Sequence, residues 1–290
     1  MSQPCAGAFD LPTFCLTLLP NSVADLLHLR TVICMAGNHT HVAVGLLVGV
    51  GVAAVLHLDP EATALFAMTS GGAALLPDLD DDTSAVTDAA GVVLALPLSI
   101  FRRIVIRHRG PTHALPICLA LAVVVYWVGH LFGKAHGSIP AYWPIRLLMP
   151  VLLALLGTRS ALRIGSGEHL RPLLNHRHRF YIEVLAGLCI GYIGYTMGPT
   201  AHFALGMALA VGVGAASHAL IDVPFESGVP LFWPFVPSLN RHVSFGHHKV
   251  GGTLDHFTAF VAVLATFAFV TVGTFHGGPM ALRWMHHVRF

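Results

Sequence analysis

Side chains that bind metals gather at four places in the chain. NHTHVAVG at 38–45 carries His39 and His41, and LLPDLDDD at 75–82 carries Asp78 and Asp80. HRGPTHALP at 108–116 carries His108 and His113, and SHALIDVPFESGVPLFWPF at 217–235 carries His218 and Asp222. Neutral imidazole with carboxylate is the ligand set of Zn, Mn or Fe. His41, Asp78, Asp80, His108, His113, His218 and Asp222 are more donors than one tetrahedral ion uses, so one or two divalent ions, Zn or Mn, are expected. Such ions bind and deprotonate water while clamping an ester or phosphoryl oxygen. Asp80, two residues beyond Asp78, is the expected general base. Arg109 offers a planar fork of donors to an anionic substrate, although a basic anchor at the membrane face uses the same residue type.

Each cluster alone is weak evidence. Twenty histidines in 290 residues make HxH common by chance, an Asp run also caps a solvated loop, and an i,i+4 His/Asp pair is ordinary on a helix. Five residues along a continuous helix turn the side chain by about 140°, so His108 is placed in a loop and His113 on the first turn of a helix. No GxSxG elbow and no Walker loop accompany them, leaving serine-hydrolase and P-loop chemistry without support.

The elements that must position these residues follow from composition. The chain is 55% hydrophobic and only 10% charged, with mean hydropathy +0.71. Soluble domains carry about 25% charge, so this one lacks the polar surface of a soluble globule. A net charge of +2 gives no nucleic-acid footprint, and five cysteines without a CxxC pair indicate neither a disulfide framework nor a thiolate site. Apolar runs at 41–58, 61–77, 113–133, 141–157, 181–197, 201–222 and 255–275 approach the span of about 20 residues that a bilayer needs. Residues 88–106, interrupted by Pro97 and carrying Arg102 and Arg103, read as an interfacial amphipathic helix. The expected fold is an all-α polytopic membrane protein of about seven transmembrane helices plus that interfacial one. Residues 1–34 are expected to be a poorly ordered extension, 35–276 a single transmembrane domain and 277–290 a tail.

Counting crossings brings all four clusters to one side, provided 88–106 does not cross. That side holds twelve basic residues, from Arg30 through Arg102, Arg103, Arg107 and Arg109 to Arg241 and Lys249; the other holds Lys134, Arg146, Arg283 and Arg289. Positive residues stay cytoplasmic, which places the expected site at the cytoplasmic face of a multi-pass protein in the cell membrane. The His- and Arg-rich stretch 158–180 reads as a loop facing lipid headgroups. GVPLFWPF reads as an aromatic re-entry at the interface.

The ordered set TH, LLPDLD, HRGPTH, SHALID and GVPLFWPF, over roughly 35–257, resembles the LexA-binding, inner-membrane-associated family of metal-dependent hydrolases. The resemblance implies a divalent-metal hydrolase site and points to His41, Asp78, Asp80, His108, Arg109, His113, His218 and Asp222. It also adds Arg241, after the WPF segment, as a substrate-binding residue. GGTLD with Asp255 only approximates a later Gly-Ser-x-x-Glu element, while Asp81 and Asp82 replace the usual His-Pro pair. The expected function is hydrolysis of a lipid-linked ester or phosphoester, with the bilayer as its partner. The alternative is a non-catalytic divalent-metal transporter or sensor, since polar residues inside a membrane also mark ion paths.

Overall fold

The computed structural model describes residues 37–80, 110–134, 141–164, 176–197, 201–225, 228–236, 242–246, 248 and 252–276. These form seven α-helices. They are α1 (Asn38–Val55), α2 (Pro60–Ala73), α3 (Leu115–Leu131), α4 (Met149–Ile164), α5 (His176–Thr196), α6 (Ala201–Ile221) and α7 (Thr253–His276). Short 3-10 turns cover Pro77–Asp80 and Pro111–His113, and a π turn over Pro144–Leu148 leads into α4. No strand occurs among the described residues; single bridges join Phe225 to His248 and Val229 to Val243.

Local chemistry sets several helix ends. Asp59 accepts from Ala62 N–H at 2.8 Å and Pro60 occupies the first turn, a combination that starts α2. The last turn of α5 is closed by Arg146, itself buried in the π turn. Its guanidinium donates to the carbonyls of Gly194, Tyr195 and Met197 at 3.1, 2.6 and 2.5 Å. These are carbonyls that a helix terminus leaves without an intrahelical donor. Arg146, counted above with the charges of the far side, is therefore spent inside the bundle.

The centre of the bundle is α2, which packs against α1, α4 and α6. Close approach depends on glycine at two crossings. A Cβ on Gly72 would lie 2.1 Å from the Leu153 carbonyl oxygen of α4, and one on Gly214 would lie 2.1 Å from the Ser70 carbonyl oxygen. Ser70 also donates its hydroxyl to the Gly45 carbonyl at 2.9 Å, tying α2 to α1. Leu65, Ile145, Ala154, Phe203 and Met207 fill the core between these helices. Large apolar side chains are exposed around the outside, among them Leu119, Val123 and Trp127 on α3, Leu188 and Tyr192 on α5, and Phe257, Phe260 and Phe267 on α7. An apolar belt of this kind suits hydrocarbon as its solvent.

Among the described residues, three helices are long and apolar enough to cross a membrane: Asn38–Val55, His202–Ile221 and Thr253–Thr271. Leu115–Leu131 is a shorter apolar helix. The expected all-helical membrane fold is present, with these three candidate spans among the described residues. The run at 61–77 is a 14-residue helix, because the chain turns after Ala73 to enter the 3-10 turn at Pro77. The stretch 158–180 is not one loop, since α4 continues to Ile164 and α5 begins at His176. Alternating apolar and basic residues there are compatible with helix ends that emerge from the bundle. Segments 1–34, 88–106 and 277–290 lie outside the described residues.

Gly214→Ala is expected to lower thermal stability in detergent by about 1–3 kcal/mol, the range for overpacking. Gly206→Ala, where a Cβ would meet nothing within 4 Å, should be neutral or slightly stabilising. Thermal unfolding followed by tryptophan fluorescence compares the two directly.

Candidate metal centre

Five of the residues singled out in the sequence meet at one end of the bundle. His41 lies in the first turn of α1, Asp78 in the 3-10 turn after α2, and His113 in the 3-10 turn before α3. His218 lies in the last turn of α6, and Asp222 follows one residue beyond it, its N–H still bonded to the His218 carbonyl at 3.1 Å. The expected position of His113 on the first turn of a helix is thus displaced into the preceding turn, because the chain is extended at Ala114 before α3 begins.

The site is almost sealed. His113 and His218 are 0% exposed, Asp222 1%, His41 6% and Asp78 8%. The Nε2 atoms of the three histidines all face the two carboxylates. His113 Nε2 is 3.4 Å from Asp78 Oδ1 and 3.8 Å from Asp222 Oδ2, and His218 Nε2 is 3.4 and 3.5 Å from the same two oxygens. His41 Nε2 is 3.5 Å from Asp222 Oδ1. The imidazoles of His41 and His218 stack at 3.8 Å, with His113 edge-on to His218 at 4.9 Å.

The far side of each ring explains part of this order. Ala74 follows α2, where carbonyl oxygens lack intrahelical partners, and its oxygen lies 2.6 Å from His218 Nδ1. A proton on Nδ1 makes that hydrogen bond and turns the Nε2 lone pair toward the carboxylates. Thr112 Oγ1 stands 3.1 Å from His113 Nδ1 in the same manner. His41 Nδ1 is buried without a hydrogen-bond partner among the described residues.

Two donor triads share His218: His41, Asp78 and His218, and His113, His218 and Asp222. Donor atoms within each triad lie within 4.8 Å of one another. A tetrahedral ion with bonds of about 2.0–2.1 Å spaces its ligands about 3.4 Å apart. The His-to-Asp distances of 3.4 to 3.8 Å are close to that edge length. Two anionic carboxylates among neutral imidazoles would also balance one divalent cation, so the residues present fit such a group.

Of the other expected site residues, Asp80 closes the 3-10 turn with Asp78, and its side chain lies outside the described residues. His108, Arg109 and Arg241 also lie outside them. His130 and His202 are exposed and apart from the centre. Asp255, the approximate match to a family element, is 1% exposed in the first turn of α7. The Thr40 hydroxyl donates to its carboxylate. The Ala74 carbonyl had no signal in the sequence, since any residue there presents the same oxygen.

Around the site, Val229 and Leu231 of the GVPLFWPF segment pack into the cluster of Cys118 and Ala219, and the Leu231 carbonyl accepts from Leu115 N–H at 3.1 Å. Phe232, Phe235 and Phe245 are exposed. This segment lies between the end of one candidate span, Ile221, and the start of another, Thr253.

No curated protein and no solved structure matches the chain. The family model for YdjM inner membrane proteins, in contrast, matches residues 35–286, and its membrane setting agrees with the apolar helices described above. The chain belongs to the YdjM inner membrane protein family.

Proposed function

We propose that this protein is a membrane-embedded, metal-dependent hydrolase that holds one divalent ion, Zn or Mn, on His41, Asp78, His113, His218 and Asp222. The observation that carries the reading is the convergence of three imidazole nitrogens on two buried carboxylates at metal-ligand spacing. When bound, the ion supplies a Lewis acid and lowers the pKa of a coordinated water. Asp80, at the end of the turn that carries Asp78, would serve there as the general base. Arg109 and Arg241 hold the anionic part of the substrate. Of the one or two ions expected, the crowding of the donors favours one, since two-metal centres separate their ions by about 3.5–4 Å.

The substrate is a lipid-linked ester or phosphoester. His41, His218 and Asp255 each lie within one turn of the end of a candidate span, so the centre sits at the depth of the lipid headgroups and not in mid-membrane. The basic-residue bias assigns that face to the cytoplasm. Transport is the weaker reading. No charged residue or histidine occurs between His41 and His57, between His202 and His218, or between His256 and His276, so the candidate spans offer a crossing ion no ligands at mid-depth.

Purified wild-type protein is expected to hold about one equivalent of divalent ion, and His218→Ala combined with Asp222→Ala to hold none. Metal analysis after removal of loosely bound ion tests this, and full occupancy in the double mutant would falsify the centre. Asp80→Asn should keep the ion yet reduce hydrolysis of phosphoester lipids by about 10² or more, while Arg109→Lys should mainly raise KM. If the wild type hydrolyses nothing across a broad panel but carries a divalent ion into proteoliposomes, and Asp80→Asn stops that movement, the transport reading replaces this one. For orientation, cysteines introduced at 80 and 136 should differ: an impermeant maleimide applied from outside should modify the second and spare the first.

A further inference from the structure

The centre is nearly sealed, so an ion must reach it through groups that replace its hydration shell in stages. One set of side chains outside the five centre residues is graded in this way. His256, in the first turn of α7, is exposed; His39, in the first turn of α1, is half-buried; and Asp255, beside His256, is buried. The rings of His39 and His256 stack at 5.2 Å across the junction of the two helices. His39 Nδ1 is buried and has no hydrogen-bond partner among the described residues. The Asp255 carboxylate lies within electrostatic reach of both His39 and His41.

The junction itself is well fastened. Thr40, between His39 and His41, donates its hydroxyl to the Asp255 carboxylate and lies 3.2 Å from the Asp255 carbonyl. Ala259 and Ala262 are buried further along α7, which packs chiefly on α1. Imidazoles at two depths and a carboxylate within reach of His41 thus run from surface to centre along one helix pair. Their donor types, nitrogen and oxygen, are those of the centre itself.

We propose that His256, His39 and Asp255 form a loading site between α1 and α7, where a divalent cation exchanges water for imidazole and carboxylate before passing to His41 and the buried centre. The proposal rests on the metal-centre reading above. The cation enters at His256 and His39, the negative charge of Asp255 draws it inward, and His41 is the first residue of the centre that it meets. Because the loading site is an intermediate and not the final position, its loss changes the rate of filling and leaves the final affinity intact.

The test uses metal-free full-length protein in lipid nanodiscs, mixed rapidly with Co(II), whose visible absorption reports an imidazole and carboxylate environment. His218→Ala defines the signal that belongs to the centre. His39→Ala and His256→Ala should each slow its appearance about tenfold, the low end of the effect of a charge-lined cleft on association. The final spectrum and the equilibrium affinity should match wild type, and His130→Ala, which removes an exposed histidine from α3, should load at the wild-type rate. His39→Gln provides a second variant if alanine disturbs the start of α1. Unchanged loading rates in the folded His39 and His256 variants would overturn the loading site while leaving the centre standing. So would a loss of equilibrium affinity or a changed spectrum, which would make these residues ligands. A wild type with no signal sensitive to His218→Ala would overturn the metal-centre reading itself.

Discussion

Two carboxylates buried among three imidazoles at the end of an apolar bundle set the terms for the rest of this structure. Asp78 and Asp222 are withdrawn from water, and a buried charge is costly unless it is closely compensated. The groups that face them are the ring edges of His41, His113 and His218, none of which lies next to another in the sequence. The helices must therefore end together, on one side, at matched depth. Every one of the elements that contributes a residue does so at its terminus.

That requirement accounts for the packing around α2. Gly214 lets the backbone of α6 touch α2 at Ser70, and one turn further along each helix the Ala74 carbonyl meets His218 Nδ1. The same crossing that removes a side chain thus sets the tautomer of a histidine in the centre. On the opposite face of α2, Gly72 brings α4 equally near. With little hydrophobic drive between helices in lipid, close backbone contact and interhelical hydrogen bonds such as Ser70 to Gly45 carry more of the association.

The distribution of polarity also bears on the kind of chemistry. The walls of α3, α5 and α7 offer large apolar groups outward, whereas titratable groups cluster where candidate spans begin or end. A polar centre at this level can meet a headgroup without either partner leaving its own environment. A chain that moved ions across the membrane would need ligands along the spans, where charged residues are expensive and therefore informative.

Much of this was legible in one dimension. Composition alone excluded a soluble globule, because the charged fraction is too small to cover one. His41, Asp78, His113, His218 and Asp222 could be named because each stands at the edge of a long apolar run, and helices that alternate in direction return such edges to one side. Helix ends were less readable: the early stop of α2, the turn ahead of α3 and the extension of α4 into the basic stretch depend on what each backbone meets in space. Hydropathy alone also left the number of spans open, since an apolar run records burial in protein and burial in lipid alike. Only the tertiary structure decided which nitrogen of each histidine faces the carboxylates, how closely the donors crowd, and that Asp255 answers to Thr40. Those facts depend on side-chain direction and on backbone carbonyls such as that of Ala74, which every residue type carries and no sequence pattern can mark.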